Sequence, residues 1–299
     1  MMHRRDLLLL PLLWPAIARS ADPPPVRVIV SFSILADFVQ QVGGSNVAVH
    51  SLVGPDADAH VYEPRPGDVR LFEGASLVVT NGLGFEGWMP RLVRAAEYRG
   101  ETIVASEGVQ PRRASGHADP HAWQDPKLAK IYANNVLAGL SRAVPALDRS
   151  FGAATADFVA RLDALDADLK ARFEAIPVDR RRVVTTHDAF AYFGAAYGVE
   201  FLPLRGWSTD AEASAADVAK LARIARERGV SAAFVENITD PRLVRTFAAD
   251  TGLRLGGRLY SDALARPGHP ADTYLGMMRH NAETILAAIA PGAGGEVVS

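Results

Sequence analysis

Short apolar runs alternate with helical patterns along almost the whole chain, and this alternation leaves few folds open. A short run of apolar residues between two amphipathic helices is the mark of a strand covered on both faces, as in a parallel α/β layer. In the first half, candidate strands lie at 26–30, 47–53, 77–80 and 102–105, with helical patterns at 34–42, 66–73, 85–98 and 126–143. The second half repeats the grammar, with strands at 182–186, 200–204, 232–235 and 254–260 and helices near 189–197, 215–228, 242–250 and 272–290. Between the halves runs one apolar stripe, Phe151, Phe158, Leu162, Leu165, Leu169, Phe173 and Ile176, at helical spacing with Asp, Arg and Lys in between. A surface helix or a coiled coil has the same pattern, but its single central placement favours a connector. At about 1.5 Å per residue the stripe makes a helix of roughly 40 Å, enough to join two lobes stiffly. The predicted fold is α/β: two similar lobes, each a mainly parallel sheet flanked by helices, joined by one long rigid connector helix. The expected divisions are a signal peptide at 1–20, an N-terminal lobe at 21–145, the connector at 146–177 and a C-terminal lobe at 178–299.

The first twenty residues carry the marks of an export signal. Residues 1–5 form a basic head, residues 7–18 an apolar stretch broken by Pro11 and Pro15, and Ala18-Arg19-Ser20 puts small residues where a signal peptidase reads. Arg4-Arg5 resembles a twin-arginine signal, although the general secretory route is the favoured one. The sequence has no cysteine, so it offers neither a disulfide framework nor a lipidated N-terminal cysteine. A free, soluble, exported protein is expected. A net charge of -2 gives no basic bias towards nucleic acid or anionic lipid. With 299 residues, 48% of them hydrophobic, the chain can bury two cores of moderate size.

Four residues share one setting. His60, His121, His187 and Asp262 recur at intervals of 61, 66 and 75 residues, each in a polar loop just after a short apolar run. Ligands of open parallel sheets bind outside the carboxyl ends of the strands, where these loops lie. Three imidazoles and one carboxylate suit a divalent transition metal, zinc above all. On this reading His60 and His121 come from the first lobe, and His187 and Asp262 from the second. The chain has 8 histidines, and the other five, His3, His50, His117, His269 and His280, are assigned structural or solvated positions.

Several stretches carry a family resemblance: Gly54-Pro55-Asp56-Ala57-Asp58-Ala59-His60-Val61-Tyr62-Glu63-Pro64, Asp119-Pro120-His121-Ala122-Trp123, Thr186-His187-Asp188-Ala189-Phe190, Phe234-Val235-Glu236-Asn237 and Tyr260-Ser261-Asp262-Ala263-Leu264. They resemble the ZnuA/TroA-like solute-binding proteins of zinc and manganese ABC transporters, and the likeness extends over essentially the whole mature chain. The resemblance implies two α/β lobes on a rigid helix, a metal buried between them, and little hinge closure. It also implies a periplasmic monomer that serves an ABC permease and its ATPase, with a metallochaperone as a further partner and no enzymatic activity. Position by position, the four ligands of the family fall on His60, His121, His187 and Asp262. One departure lies before His121, where many zinc-specific members carry a long His-rich insertion. Residues 112–119 are short here and contain only His117, so a metal-capturing loop is not carried over.

The third ligand bears on which metal is held. Manganese-selective members often have Glu at the position of His187, and an added imidazole shifts preference from manganese towards zinc. The segment around Asp262 looks closer to manganese-type members, so Zn2+ is the expected cargo and Mn2+ the alternative. Glu63, Asp188 and Glu236 are candidates to orient a ligand imidazole by accepting its second N–H. Trp88, Trp123 and Trp207 are expected to pack around the lobes and cleft. A secreted zinc hydrolase is the competing class, but it needs an open coordination position and a general base. The chain has no His-Glu-x-x-His helix and no Gly-x-Ser-x-Gly elbow. A zinc-storing protein or adhesin is the third class, separated by whether a permease depends on this chain.

Overall fold

A computed structural model describes residues 24–114 and 116–290, so the expected signal peptide lies outside the described residues. The first sheet contains β1 (Val26–Phe32), β2 (Val47–Val53), β3 (Leu77–Thr80) and β4 (Glu101–Val104), all parallel, in the order β2-β1-β3-β4. A short antiparallel hairpin follows, β5 (Arg113–Ala114) and β6 (His117–Ala118). The second sheet contains β7 (Arg182–Thr185), β8 (Glu200–Pro203), β9 (Ala232–Glu236) and β10 (Leu255–Leu259), parallel and ordered β8-β7-β9-β10. Counted within its own half, each sheet therefore has the order 2-1-3-4, so the repeated grammar corresponds to a repeated topology.

The helices are α1 (Ser33–Gly43), α2 (Asp68–Leu71), α3 (Met89–Ala95), α4 (Pro126–Ala143), α5 (Asp148–Glu174), α6 (Ala191–Tyr197), α7 (Ala215–Arg228), α8 (Arg242–Thr251) and α9 (Tyr274–Ile289). Capping chemistry sets several ends. Asp125 accepts the N–H of Lys127 at the start of α4 with Pro126 at its first position, and Ser214 accepts the N–H of Asp217 at the start of α7. Left-handed glycines, Gly198, Gly229 and Gly252, close α6, α7 and α8.

The connector α5 has 27 residues, about 40 Å of helix at a rise of ~1.5 Å per residue. Phe151, Phe158, Leu162, Leu165, Leu169 and Phe173 are all buried along one side of it. This stripe packs on α1 and α4 from the first half and on α6 and α9 from the second. Phe158 meets Phe38 edge-on at 5.4 Å, and Phe173 stacks on Tyr197 at 5.7 Å. The main apolar core consequently runs without interruption from β1 through the connector to α9. A smaller cluster, with Val184, Ala233, Val244 and Phe247, fills the far side of the second sheet under α7 and α8. Two cores are present among the described residues, but they are not divided one to each lobe.

Two helices are shorter than their sequence patterns suggest. The pattern at 66–73 yields only α2, and that at 85–98 yields only α3. Upstream of α3, Gly82, Leu83 and Gly84 all have positive φ, and buried Glu86 anchors the turn by accepting Ser31 Oγ at 2.5 Å and the N–H of Asn81 at 2.6 Å. A turn held by these contacts overrides helical periodicity. The hairpin β5–β6 was not anticipated, because two residues per strand carry no periodic signal.

Candidate metal centre

Four loops converge between the sheets, and each is fixed by its own polar contacts. The loop after β2 brings in His60. Within it Asp56 takes a positive φ of 55, donates its N–H to Leu264 O at 3.0 Å, and receives Asn237 Nδ2 on its carboxylate at 3.1 Å. Asp58 then accepts the His60 N–H at 2.9 Å, and Trp88 Nε1 donates to Ala59 O. His121 follows the hairpin. One oxygen of Asp119 lies 3.0 Å from the His121 backbone N and 2.8 Å from its Nδ1, so a single carboxylate sets both the loop and the ring.

His187 stands two residues beyond β7 and is held from β9. Glu236 Oε1 accepts the backbone N–H groups of Thr186 and His187 at 2.8 and 2.9 Å. Its other oxygen approaches His187 Nδ1 to 2.5 Å, a close ionic contact that falls short of an aligned hydrogen bond. Asp262 follows β10. The carbonyl before it, on Ser261, accepts Trp123 Nε1 and Gln124 Nε2, both from the first half of the chain.

The facing atoms form one compact cluster. His60 Nε2 and His121 Nε2 are 3.3 Å apart, and Asp262 Oδ2 lies 3.2 Å from His60 Nε2 and 3.0 Å from His187 Nε2. One ligand atom from each of the four residues lies within 4.8 Å of every other. Bonds of about 2.1 Å in a tetrahedral shell would place donors roughly 3.4 Å apart, so the spacing suits a small cation. All four side chains are at most 1% exposed. Asp262 Oδ1 is buried without a hydrogen bond, 3.5 Å from His121 Nε2, and a cation would give it a closer partner.

Burial and charge pull in opposite directions on the titrating groups. Burial alone would lower the His121 pKa, but the carboxylates of Asp262 and Asp119 outweigh it and hold the ring at about 9. His187 is likewise penalised by burial, yet Glu236 and Asp262 raise it well above the usual histidine range. Burial wins at His60 and lowers it. Asp262 is pushed up by burial and pulled further down by His187 and His121, ending well below the usual carboxylate range. The carboxylates thus favour the protonated form of the His121 and His187 rings, and those rings favour the ionised form of Asp262. A cation held by those ring nitrogens would displace their protons.

Aromatic rings enclose this cluster. Phe85 lies 4.6 Å from His60, Trp123 lies 5.3 Å from His121, and Trp207 lies 5.9 Å from His60. A cavity of about 750 Å³ lined by Arg258, Tyr260, His269 and His280 lies elsewhere and includes none of the four residues.

Of the three carboxylates expected to orient an imidazole, only Glu236 lies against one, with Oε2 2.5 Å from His187 Nδ1. Glu63 is exposed, and among the described residues no hydrogen bond or ion pair joins it to His60. Asp188 is half-buried, its backbone N–H donates to Gly206 O, and among the described residues no imidazole donates a hydrogen bond to its carboxylate. Asp119 stands in that position for His121, with one oxygen 2.8 Å from its Nδ1, and was not among the candidates. Its signal was present as Asp-x-His, since a carboxylate two residues before a histidine can accept that histidine's own N–H in an Asx turn. His50 and His117 are exposed, whereas half-buried His269 and His280 gather around Tyr260.

A family model described as zinc-uptake complex component A, periplasmic (ZnuA), matches residues 28–288. The zinc-binding protein TroA of Treponema pallidum is 35% identical over 285 residues, 91% of each chain. The manganese ABC transporter substrate-binding lipoprotein PsaA of Streptococcus pneumoniae is 30% identical over 271 residues, 87% of each chain. Among solved structures, the periplasmic zinc-binding protein TroA from Treponema pallidum superposes with a TM-score of 0.86 at 33% identity, covering 89% of this chain and 100% of that one. The chain belongs to the ZnuA family, the metal-binding substrate-binding proteins of ABC transporters.

Proposed function

We propose that this chain captures a divalent transition metal, zinc in preference to manganese, between two lobes and delivers it to an ABC permease driven by its ATPase. The observation that carries the reading is the buried gathering of His60, His121, His187 and Asp262 from four separate loops, with an oxygen on Asp262 that makes no hydrogen bond. The donors would form the closed four-coordinate shell of a site that holds zinc, with no position for an activated water, which argues against a hydrolase. The lobes are taken as 21–145 and 178–299, with 146–177 as connector. Several relatives are lipoproteins by name. This sequence has no cysteine to carry a lipid, so a free periplasmic form is proposed, after removal of residues 1–20.

The preference for zinc rests on His187. Three neutral imidazoles suit the softer ion, and replacing one by a carboxylate favours the harder manganese. Manganese stays the second reading because relatives named for it share 30% identity over most of the chain. Parallel competitive titrations of wild type and His187→Glu with each ion decide between them. Zinc is expected to bind wild type more tightly, and His187→Glu to narrow the zinc-over-manganese ratio. A ratio that stays the same or widens removes His187 as the selecting ligand. Failure of wild type to bind either ion removes the proposed function.

A further inference from the structure

Resting on the metal-carrier reading above, we infer that the ion enters and leaves past Trp207, and that the hydrogen bond from Thr209 to Asp58 is the latch governing its exchange. Among the aromatic rings against the histidine cluster, Phe85 and Trp123 are buried, whereas Trp207 is half-buried and reaches solvent. The outer neighbour of Trp207 is the exposed ring of His117 on the hairpin, 5.8 Å away. Displacing Trp207 therefore uncovers His60 without opening the core.

Trp207 sits in the loop between β8 and α7, residues 204–214, which belongs to the second half of the chain. Thr209 Oγ1 donates to Asp58 Oδ2 at 2.5 Å, and this is the one hydrogen bond, among the described residues, from that loop to the first half. Asp58 also accepts the backbone N–H of His60 on its other oxygen. A single carboxylate thus ties the covering loop to the loop that presents a ligand. Elsewhere the halves are joined by part-buried bonds, such as Asn237 Nδ2 to Asp56 Oδ1, and by buried ones, such as Leu264 N to Ser33 Oγ and Tyr274 OH to Trp123 O, and the buried ones resist separation. The fold gives the ion a yielding route at Thr209 and a closed one at Ser33.

The test uses the full mature protein loaded with zinc, mixed rapidly with excess chromophoric chelator to read the release rate. Thr209→Val removes the hydroxyl at nearly constant volume, and a bond to a charged acceptor is strong enough that release should quicken by about tenfold. Entry should quicken too, so the dissociation constant should change less than the release rate. Trp207→Ala should also accelerate release, while Ser33→Ala, which cuts a buried link away from the route, should stay within about twofold of wild type. Melting curves of the metal-free variants check that each is folded. If folded Thr209→Val and Trp207→Ala both release at the wild-type rate, or if Ser33→Ala accelerates as much as they do, the gate is refuted and the carrier reading stands. Absence of zinc and manganese binding by wild type would overturn both.

Discussion

Replacing Glu236 by glutamine tests how the metal shell is oriented. Glu236 Oε1 serves the N–H groups of Thr186 and His187, and Oε2 faces His187 Nδ1 at 2.5 Å, with both side chains fully buried. A carboxylate there keeps a proton on Nδ1 and leaves Nε2 free to face the ion. Glutamine cannot satisfy all these partners. With its oxygen on the two backbone donors, its NH2 faces Nδ1, which must then act as acceptor and move the ring proton to Nε2, against the ion. Turned the other way, the NH2 meets two N–H donors. Loss of such an orienting partner typically weakens metal affinity by about 10- to 100-fold, or roughly 1.4–2.8 kcal/mol. Removing the negative charge also makes His187 less basic, which eases proton release, but the cation loses a close counter-charge at the same time. Competitive chelator titration gives the affinities for zinc and manganese, and a melting curve of the metal-free variant shows whether the fold survives. A folded Glu236→Gln protein within twofold of wild-type affinity would refute the argument. Glu63→Gln, altering an exposed carboxylate with no described bond to His60, is the control and should bind as wild type does.

Stability of the metal-free protein should depend on pH through the same cluster. His121 is raised from 6.5 to about 9, so its contribution is complete below 6.5 and is lost as pH rises through 9, and the melting temperature should fall across that window. Asp262, depressed below 3.8, acts oppositely, contributing above that value and losing its effect on acidification. Metal affinity should rise over the window in which metal-free stability falls, because binding displaces the ring protons; parallel slopes would show that these imidazoles do not hold the ion. Two helical glycines should respond with opposite sign in denaturant titrations. A Cβ on Gly276 would lie 2.1 Å from the Pro270 carbonyl oxygen, so Gly276→Ala should destabilise by about 2–3 kcal/mol. Gly152 in α5 has nothing within 4 Å of that position, so Gly152→Ala should stabilise by roughly 0.5–1 kcal/mol.

Elements whose ends are set by local chemistry were the legible ones. The patterns at 126–143 and 215–228 coincide with α4 and α7, because Asp125-Pro126 and Ser214 begin those helices and Gly229 ends the second. β3 matches its apolar run, since an inner strand covered on both faces carries an unbroken signal, and β2 matches too although it is an edge strand whose middle is partly exposed. Where a distant contact decides, local reading failed. Glu86 holds its turn through Ser31, 55 residues away, and no periodicity in residues 85–98 could report that. The continuous core has the same origin, because the stripe on α5 shows that one face is buried but not that both halves share it.

The four clustered residues were legible because donor type and position after a strand are both local properties. Their orienting carboxylates were legible only in part, Glu236 standing among the three candidates and Asp119 outside them, since sequence proximity misleads about direction. Glu63, three residues from His60, points into solvent, while Glu236 reaches His187 across 49 positions. Asp119 lies only two residues from its partner, and what distinguishes it from Glu63 is the Asx turn that folds it back onto the His121 N–H. Asp119 and Glu236 share a logic. Each grips a histidine by backbone N–H and ring nitrogen together, so the group that fixes the loop also fixes the imidazole. The donor atoms are therefore gathered by contacts that do not need the cation. On the proposed carrier reading, a core shared by both halves leaves little reorganisation for binding to drive, so selectivity and release are expected from the shell and its cover more than from closure of the lobes.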